Sequence, residues 1–390
     1  MRADGAEFDL LCSAARPTPD LVKIRQLLDK GVHGATLLDL AAHHGVRPSL
    51  LRALSDLSWH AVPPGLREEL ETFRHRQMLR SLSVAAELAE LAAAFAVSAI
   101  EFATFKGPVL ALQLYGDLAL REYADIDIIV PPGHLEQAEE VLARRGYRNT
   151  QGDRAFRDAF LRHQRQYAFT RQGAAASIDL HWDFCGQRLP FPVRPSEIWP
   201  ALTRVVIGGT PVPTIGGEEL ALLLAGHGTK EAWYSVGWIC DFAMVVERMR
   251  KLDWSTIHAR ARRNGSGVSI LLACALAETL LQVPVPAALA AALDRERSVL
   301  RLAGDIAQRL RVQVPTDGPR PNLHDLLLCD RVGDKVRVTI ATAMTCTPSD
   351  YEAFPLPPAL WPAYRVTRPV RLAAGLVTRG LRRLRRRAAV

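Results

Sequence analysis

The chain is short of the features that mark several protein classes at first sight. Its six cysteines, Cys12, Cys185, Cys240, Cys274, Cys329 and Cys346, are scattered, with no C-x-x-C pair and no Cys/His cluster at zinc spacing. That excludes a disulfide framework and a structural zinc module, and it points to a reducing, cytoplasmic setting. Long apolar runs are lacking too: Leu220 to Ala225 and Val268 to Leu276 fall well short of the ~20 residues that cross a bilayer. Met1 to Pro17 carries Asp4, Glu7 and Asp9 and no long apolar stretch, so it does not read as a signal peptide. No repeat of fixed period is visible. Disorder is excluded by composition, with 48% hydrophobic and 23% charged residues, and 390 residues suit two or three domains. Trp361 to Val390 has no acid and nine arginines, and it accounts for the net charge of +8, because the rest of the chain balances 40 basic against 41 acidic residues.

What is present falls into four segments. Residues 1–85 show Leu, Ala, Arg and Glu at helical spacing, with Pro48 and Pro63-Pro64 as breaks. Residues 86–215 change texture and predict a strand at Ile100 to Phe105, a helix at Val109 to Tyr115 and a strand at Tyr123 to Val130. An amphipathic helix, Leu135 to Arg145, then stops at Gly146, and two strands, Gln166 to Thr170 and Ser177 to Trp182, flank the turn Arg171-Gln172-Gly173. Residues 216–345 return to helical periodicity through Glu218 to His227, Trp238 to Arg250, Val268 to Gln282 and Ala287 to Leu310, and residues 346–390 form a basic tail. The expected fold is α+β, a small mixed β-sheet core flanked by helical regions.

The chemistry concentrates at Asp125-Ile126-Asp127-Ile128-Ile129-Val130. In a strand, residues two apart share a face, so Asp125 and Asp127 project together while Ile126 and Ile128 enter the core. Two carboxylates on one face repel unless a cation neutralises them, as a hard divalent ion does. A second strand, Ser177-Ile178-Asp179-Leu180-His181-Trp182, repeats the spacing. Laid beside the first, it adds Asp179 as a third ligand and brings His181 to the same face. Upstream, Lys106-Gly107-Pro108 places a glycine where backbone must approach a ligand and a cation for phosphate. Arg121 is a second cation for a phosphate or substrate anion. His181 reads either as a substrate contact or as a packed structural group. His227 and Lys230, with Asp241 on the next helix, read either as a substrate-binding cluster or as a surface ion-pair network.

Phe105-Lys106-Gly107, Leu114-Tyr115-Gly116-Asp117, Leu120-Arg121, Asp125-Ile126-Asp127 and Ile178-Asp179-Leu180-His181-Trp182 together resemble the uncharacterised bacterial nucleotidyltransferase family of the polymerase-β-like superfamily. Gly226-His227-Gly228-Thr229-Lys230 and Trp238-Ile239-Cys240-Asp241 resemble its helical segment. The resemblance implies transfer of a nucleoside monophosphate from an NTP to an acceptor hydroxyl or phosphate, with two Mg²⁺ ions, or Mn²⁺ in their place, held by Asp125, Asp127 and Asp179. One departure stands out: the superfamily's turn is Gly-Ser or Gly-Gly, whereas Pro108 follows Gly107 here and has no N–H to offer a phosphate.

The acceptor is expected to be a small molecule or peptide, in natural-product or surface-polymer biosynthesis. The tail is expected to meet an anionic membrane surface or RNA, or to do no more than keep the chain soluble. Other readings are a glycosyltransferase using the D-x-D motif on a nucleotide sugar, a toxin-like nucleotidyltransferase acting on tRNA or protein, and a catalytically silent membrane-surface module. For Asp127→Asn, removing one charge from a repulsive cluster is expected to leave the unliganded fold neutral or slightly stabilised.

Overall fold

The structure is a computed structural model that describes residues 5–186, 189–312 and 329–373. The arginine-rich run from Arg379 to Arg387, for which membrane or RNA contact is expected, lies outside them. Seven strands among the described residues form one mixed sheet: β1 (Ala103–Thr104), β2 (Asp125–Ile129), β3 (Arg148–Asn149), β4 (Gln166–Thr170), β5 (Ser177–His181), β6 (Leu202–Ile207) and β7 (Thr210–Ile215). Their order is β3-β4-β5-β2-β1-β7-β6. Helices lie at both ends of the chain, so the protein is α+β. No helix of the described residues is long and apolar enough to cross a membrane.

Turn chemistry sets much of this topology. Gly173, at φ +74°, closes the β4–β5 hairpin, and the antiparallel return lays β5 parallel to β2. Gly208 and Gly209, at φ +56° and +83°, close the β6–β7 hairpin with the two positive φ values that a two-residue type I′ turn requires. That hairpin is not predicted from the sequence, because Pro211 and Pro213 argue against a strand. β1 is only two residues of the expected Ile100 to Phe105 strand. The helix predicted at Val109 to Tyr115 begins earlier, at Gly107–Leu110, and widens into a π-helical turn at Ala111–Tyr115. Trp254–Arg263 is a further, unpredicted helix, and the expected helix from Ala287 to Leu310 is two, Ala287–Arg295 and Arg297–Val312.

The period-2 pattern of β2 sorts its side chains between two apolar layers. Ile126 and Ile128, with Ile178 and Leu180 of β5, pack against Val84, Leu88 and Leu91 of the helix Leu66–Val97 and Val141 and Leu142 of the helix Leu135–Arg144. Ile129 belongs to the other layer, which runs continuously from Phe8 to Leu310 and so joins the helices before the sheet to those after it. The face carrying Asp125 and Asp127 therefore turns toward the helix Gly217–Lys230, whose His227 and Lys230 exchange charge interactions with it.

His44 sits at the joint between the two sets of helices. Its carbonyl accepts hydrogen bonds from the Gly237 N–H at 3.0 Å and the Ser235 hydroxyl at 2.8 Å, and its buried ring meets Phe8 edge-on. Burial, with neighbouring His43, pushes the imidazole from 6.5 down to about 4. Below pH 6.5 the unfolded chain takes up a proton that the folded chain refuses until about pH 4. This group's contribution is therefore complete above pH 6.5 and falls by up to ~1.4 kcal/mol per pH unit between those values. Urea unfolding at pH 5 and pH 7 should show a smaller difference for His44→Phe than for wild type. Equal differences would remove His44 as a source of acid lability.

Candidate active site

Register brings the acids together. β2 and β5 pair in parallel with Asp125 opposite Ser177, Asp127 opposite Asp179 and Ile129 opposite His181. Neighbouring in-register residues share a face, so Asp127 and Asp179 stand side by side, with His181 two residues further along. One ligand atom from each of Asp127, Asp179 and His181 lies within 4.8 Å of the others. Asp125 lies on the same face of β2, one pleat away and less buried. The turn after β1 closes against them. Gly107 holds φ +56°, and a Cβ there would come within 3.2 Å of the Asp125 carbonyl oxygen, so conformation and close approach both demand glycine.

The three carboxylates are not equivalent. Asp127 is buried, and its Oδ1 accepts hydrogen bonds from Lys106 Nζ at 3.0 Å and His181 Nε2 at 3.1 Å. A carboxylate only accepts, so the imidazole tautomer here is Nε2–H. Burial opposes the Asp127 anion, but Lys106 and His181 outweigh it and hold this carboxyl well below the usual range. Asp179 accepts one hydrogen bond, from Gln166 Nε2 at 3.1 Å. Burial first, then the charges of Asp127 and Asp125, push its carboxyl up to about 7. Burial and Asp127 raise Asp125 as well. Burial acts against the Lys106 ammonium, yet Asp127 and Asp125 reverse this and raise its pKa. Burial pushes the His181 imidazole down despite Asp127, which favours the neutral ring.

A family model for an uncharacterised nucleotidyltransferase matches residues 31–282. The chain belongs to that nucleotidyltransferase family. No curated protein matches it. The match extends well to either side of the sheet, taking in the helix Leu66–Val97 and the helices Gly217–Lys230 and Val236–Arg248.

The acid cluster suits a divalent cation. Among the described residues Asp127 Oδ2 is buried with no hydrogen-bond partner, an arrangement that costs free energy unless something supplies charge or a donor. That oxygen, with the Asp179 carboxylate beside it, is an oxygen donor set of the kind hard cations take. Cys185, near Lys230, contributes no competing chemistry, since burial raises its thiol to about 11 and keeps it protonated.

The structure gives the remaining predicted residues distinct surroundings. Arg121, read from the sequence as a cation for a phosphate or substrate anion, and Asp241, read either as part of a substrate-binding cluster or of an ion-pair network, engage each other. The guanidinium grips the carboxylate from Nε and Nη2 at 2.9–3.0 Å, and Tyr115 donates to the same group at 2.8 Å. Arg121 is held cationic by Asp241 in spite of its burial. The Arg121 carbonyl also accepts from Gln77 Nε2 at 2.9 Å. The lead into β2 is thus clamped from both helical regions, with Gln77 on the helix Leu66–Val97 and Asp241 on the helix Val236–Arg248. His227 lies within reach of the charges of Lys106, Lys230 and Asp127, and burial followed by the two lysines drives its pKa well below the ordinary value. Lys230 forms an ion pair at 3.6 Å with its neighbour Glu231. Gln166 has no functional role in the sequence reading, and Tyr115 enters it only within the motif Leu114-Tyr115-Gly116-Asp117. Gln166 was findable, because it opens the strand predicted to pair antiparallel with β5, where it lies opposite His181.

Proposed function

We propose that the protein transfers a nucleoside monophosphate from an NTP to an acceptor hydroxyl or phosphate, using Mg²⁺ held by Asp127 and Asp179 with Asp125 at the rim. The observation that carries this reading is the in-register pair Asp127 and Asp179, with the unpartnered Oδ2, in a chain of a nucleotidyltransferase family. When bound, the ion supplies neutralisation of phosphate charge and acidifies a coordinated hydroxyl. The acceptor oxygen attacks the α-phosphorus, the bond from that phosphorus to the bridging oxygen breaks, and pyrophosphate leaves with the electron pair. Where the acceptor is a hydroxyl, Asp179, freer than Asp127, receives its proton; an ionised phosphate acceptor has none to lose. His181 and Lys106 fix the orientation of Asp127 through Oδ1. No covalent intermediate is required, and positioning and charge carry the rate.

The test supplies each NTP labelled at the α-phosphate with Mg²⁺ and with separate small-molecule, peptide and RNA acceptor pools. Label entering one pool, stopped by chelator and restored by Mg²⁺, is expected. Label entering no pool with any NTP would sink the reading.

Lys106 has a role in this scheme that binding data can reach. An ammonium has three N–H donors, and Asp127 takes one of them. A phosphate contact from the others is worth roughly 1.5–3 kcal/mol as a charge-assisted hydrogen bond. Lys106→Met should therefore weaken NTP binding by about tenfold to somewhat over a hundredfold, measured by calorimetry in Mg²⁺. Unchanged affinity would confine Lys106 to its bond with Asp127.

A further inference from the structure

The turn between the helices Gly217–Lys230 and Val236–Arg248 carries backbone strain with a visible purpose. Ala232 and Trp233 both hold positive φ, +53° and +51°, a region that bulky residues avoid and that persists only where surroundings enforce it. Trp233 enforces it here. Its ring is fully buried over Gly228, where a Cβ would sit 2.4 Å from the indole, and Nε1 donates to the Thr229 hydroxyl at 3.3 Å. On the far side, Ser235 is fastened to the His44 carbonyl. Between these anchors Tyr234 is turned outward and remains 40% exposed. Its ring stands edge-on to Trp238 at a centroid separation of 4.2 Å, and Trp238 meets His227 at 4.9 Å.

This row of rings lies within charge-interaction range of the acid site. Tyr234 feels the charges of Asp125 and Lys106, and His227 feels those of Asp127 and Lys106. An exposed aromatic, held between two anchored neighbours and within range of the charges of Lys106 and Asp125, has the chemistry of a base-stacking surface: every nucleobase offers a π-face, and stacking needs no hydrogen-bond code.

We infer that Tyr234, backed by Trp238, stacks the nucleobase of the NTP whose phosphates lie over Lys106 and the carboxylates. The inference rests on the nucleotide reading above and adds the subsite for the base. It also assigns that subsite a low selectivity, because the ring contact itself is indifferent to base identity.

Calorimetry in Mg²⁺ tests it with ATP, GTP, CTP, UTP and inorganic tripolyphosphate on wild type, Tyr234→Ala and Tyr234→Phe. Tyr234→Ala should weaken all four nucleotides by about tenfold or more, Tyr234→Phe should stay within about twofold of wild type, and tripolyphosphate should bind all three proteins alike. Nucleotide binding that survives Tyr234→Ala unchanged overturns the inference. So does an equal loss for tripolyphosphate, which would mean that the turn shapes the phosphate site instead. If wild type binds neither nucleotides nor tripolyphosphate, the nucleotide reading itself fails.

Discussion

Asp127→Asn should abolish transfer and at the same time lower the melting temperature of the metal-free protein, whereas Asp179→Asn should abolish transfer and raise it. The sequence-based expectation for Asp127, a neutral or upward shift, treats the acids as one repulsive cluster. The structure divides them. Asp127 is buried between Lys106 and His181, so neutralising it leaves a buried ammonium without its counter-ion, a loss of about 3 kcal/mol or more for breaking one partner of a buried pair. Asp179 is burdened by burial and by two neighbouring carboxylates, and an isosteric amide relieves both. Either change removes an oxygen donor from the proposed cation site and should cost roughly a thousandfold or more in rate. Thermal scans in chelator, paired with transfer assays, read both effects. Shifts of the same sign for the two variants would contradict the assignment of Lys106 and His181 to Asp127.

A second large effect is expected at the clamp on the other side of β2. Arg121→Met strands Asp241 with Tyr115 alone in a buried position, and such a loss typically costs about 3–5 kcal/mol. Asp241→Leu should be comparably damaging. The double variant Arg121→Met/Asp241→Leu should recover much of the stability, because replacing both charges leaves neither unpaired. Urea unfolding of the four proteins gives the coupling directly. If Arg121→Met unfolds like wild type but binds NTP weakly, Arg121 is a phosphate ligand and the clamp is misread.

These two cases show where the sequence was legible. The D-x-D strand could be read because its apolar partners alternate with a period of two, and because Ser177 to His181 repeats the pattern at a length that pairs without a slip. The stop at Gly146, at φ +82°, and the β4–β5 turn followed from local chemistry in the same way. What escaped is non-local. Arg121 and Asp241 lie 120 residues apart, and nothing near either names its partner. An isolated Arg before a D-x-D therefore reads as a phosphate ligand. The division of labour among the acids depends on which of them Lys106 and His181 reach, which spacing does not state. The β6–β7 hairpin was hidden by two prolines that the pairing tolerates. The turn at Ala232 and Trp233 contains no glycine to announce positive φ.

In the proposed reaction this acid pair directs attack at the α-phosphorus of an NTP. That role is tested most directly by one reaction with an NTP labelled differently at the α- and γ-phosphates, run in Mg²⁺ with wild type and Asp179→Asn. Wild type should deliver the α-label to the acceptor and the γ-label to pyrophosphate in equal amounts, and Asp179→Asn should deliver neither. Transfer of the γ-label to the acceptor, or undiminished α-transfer by Asp179→Asn, would contradict that role.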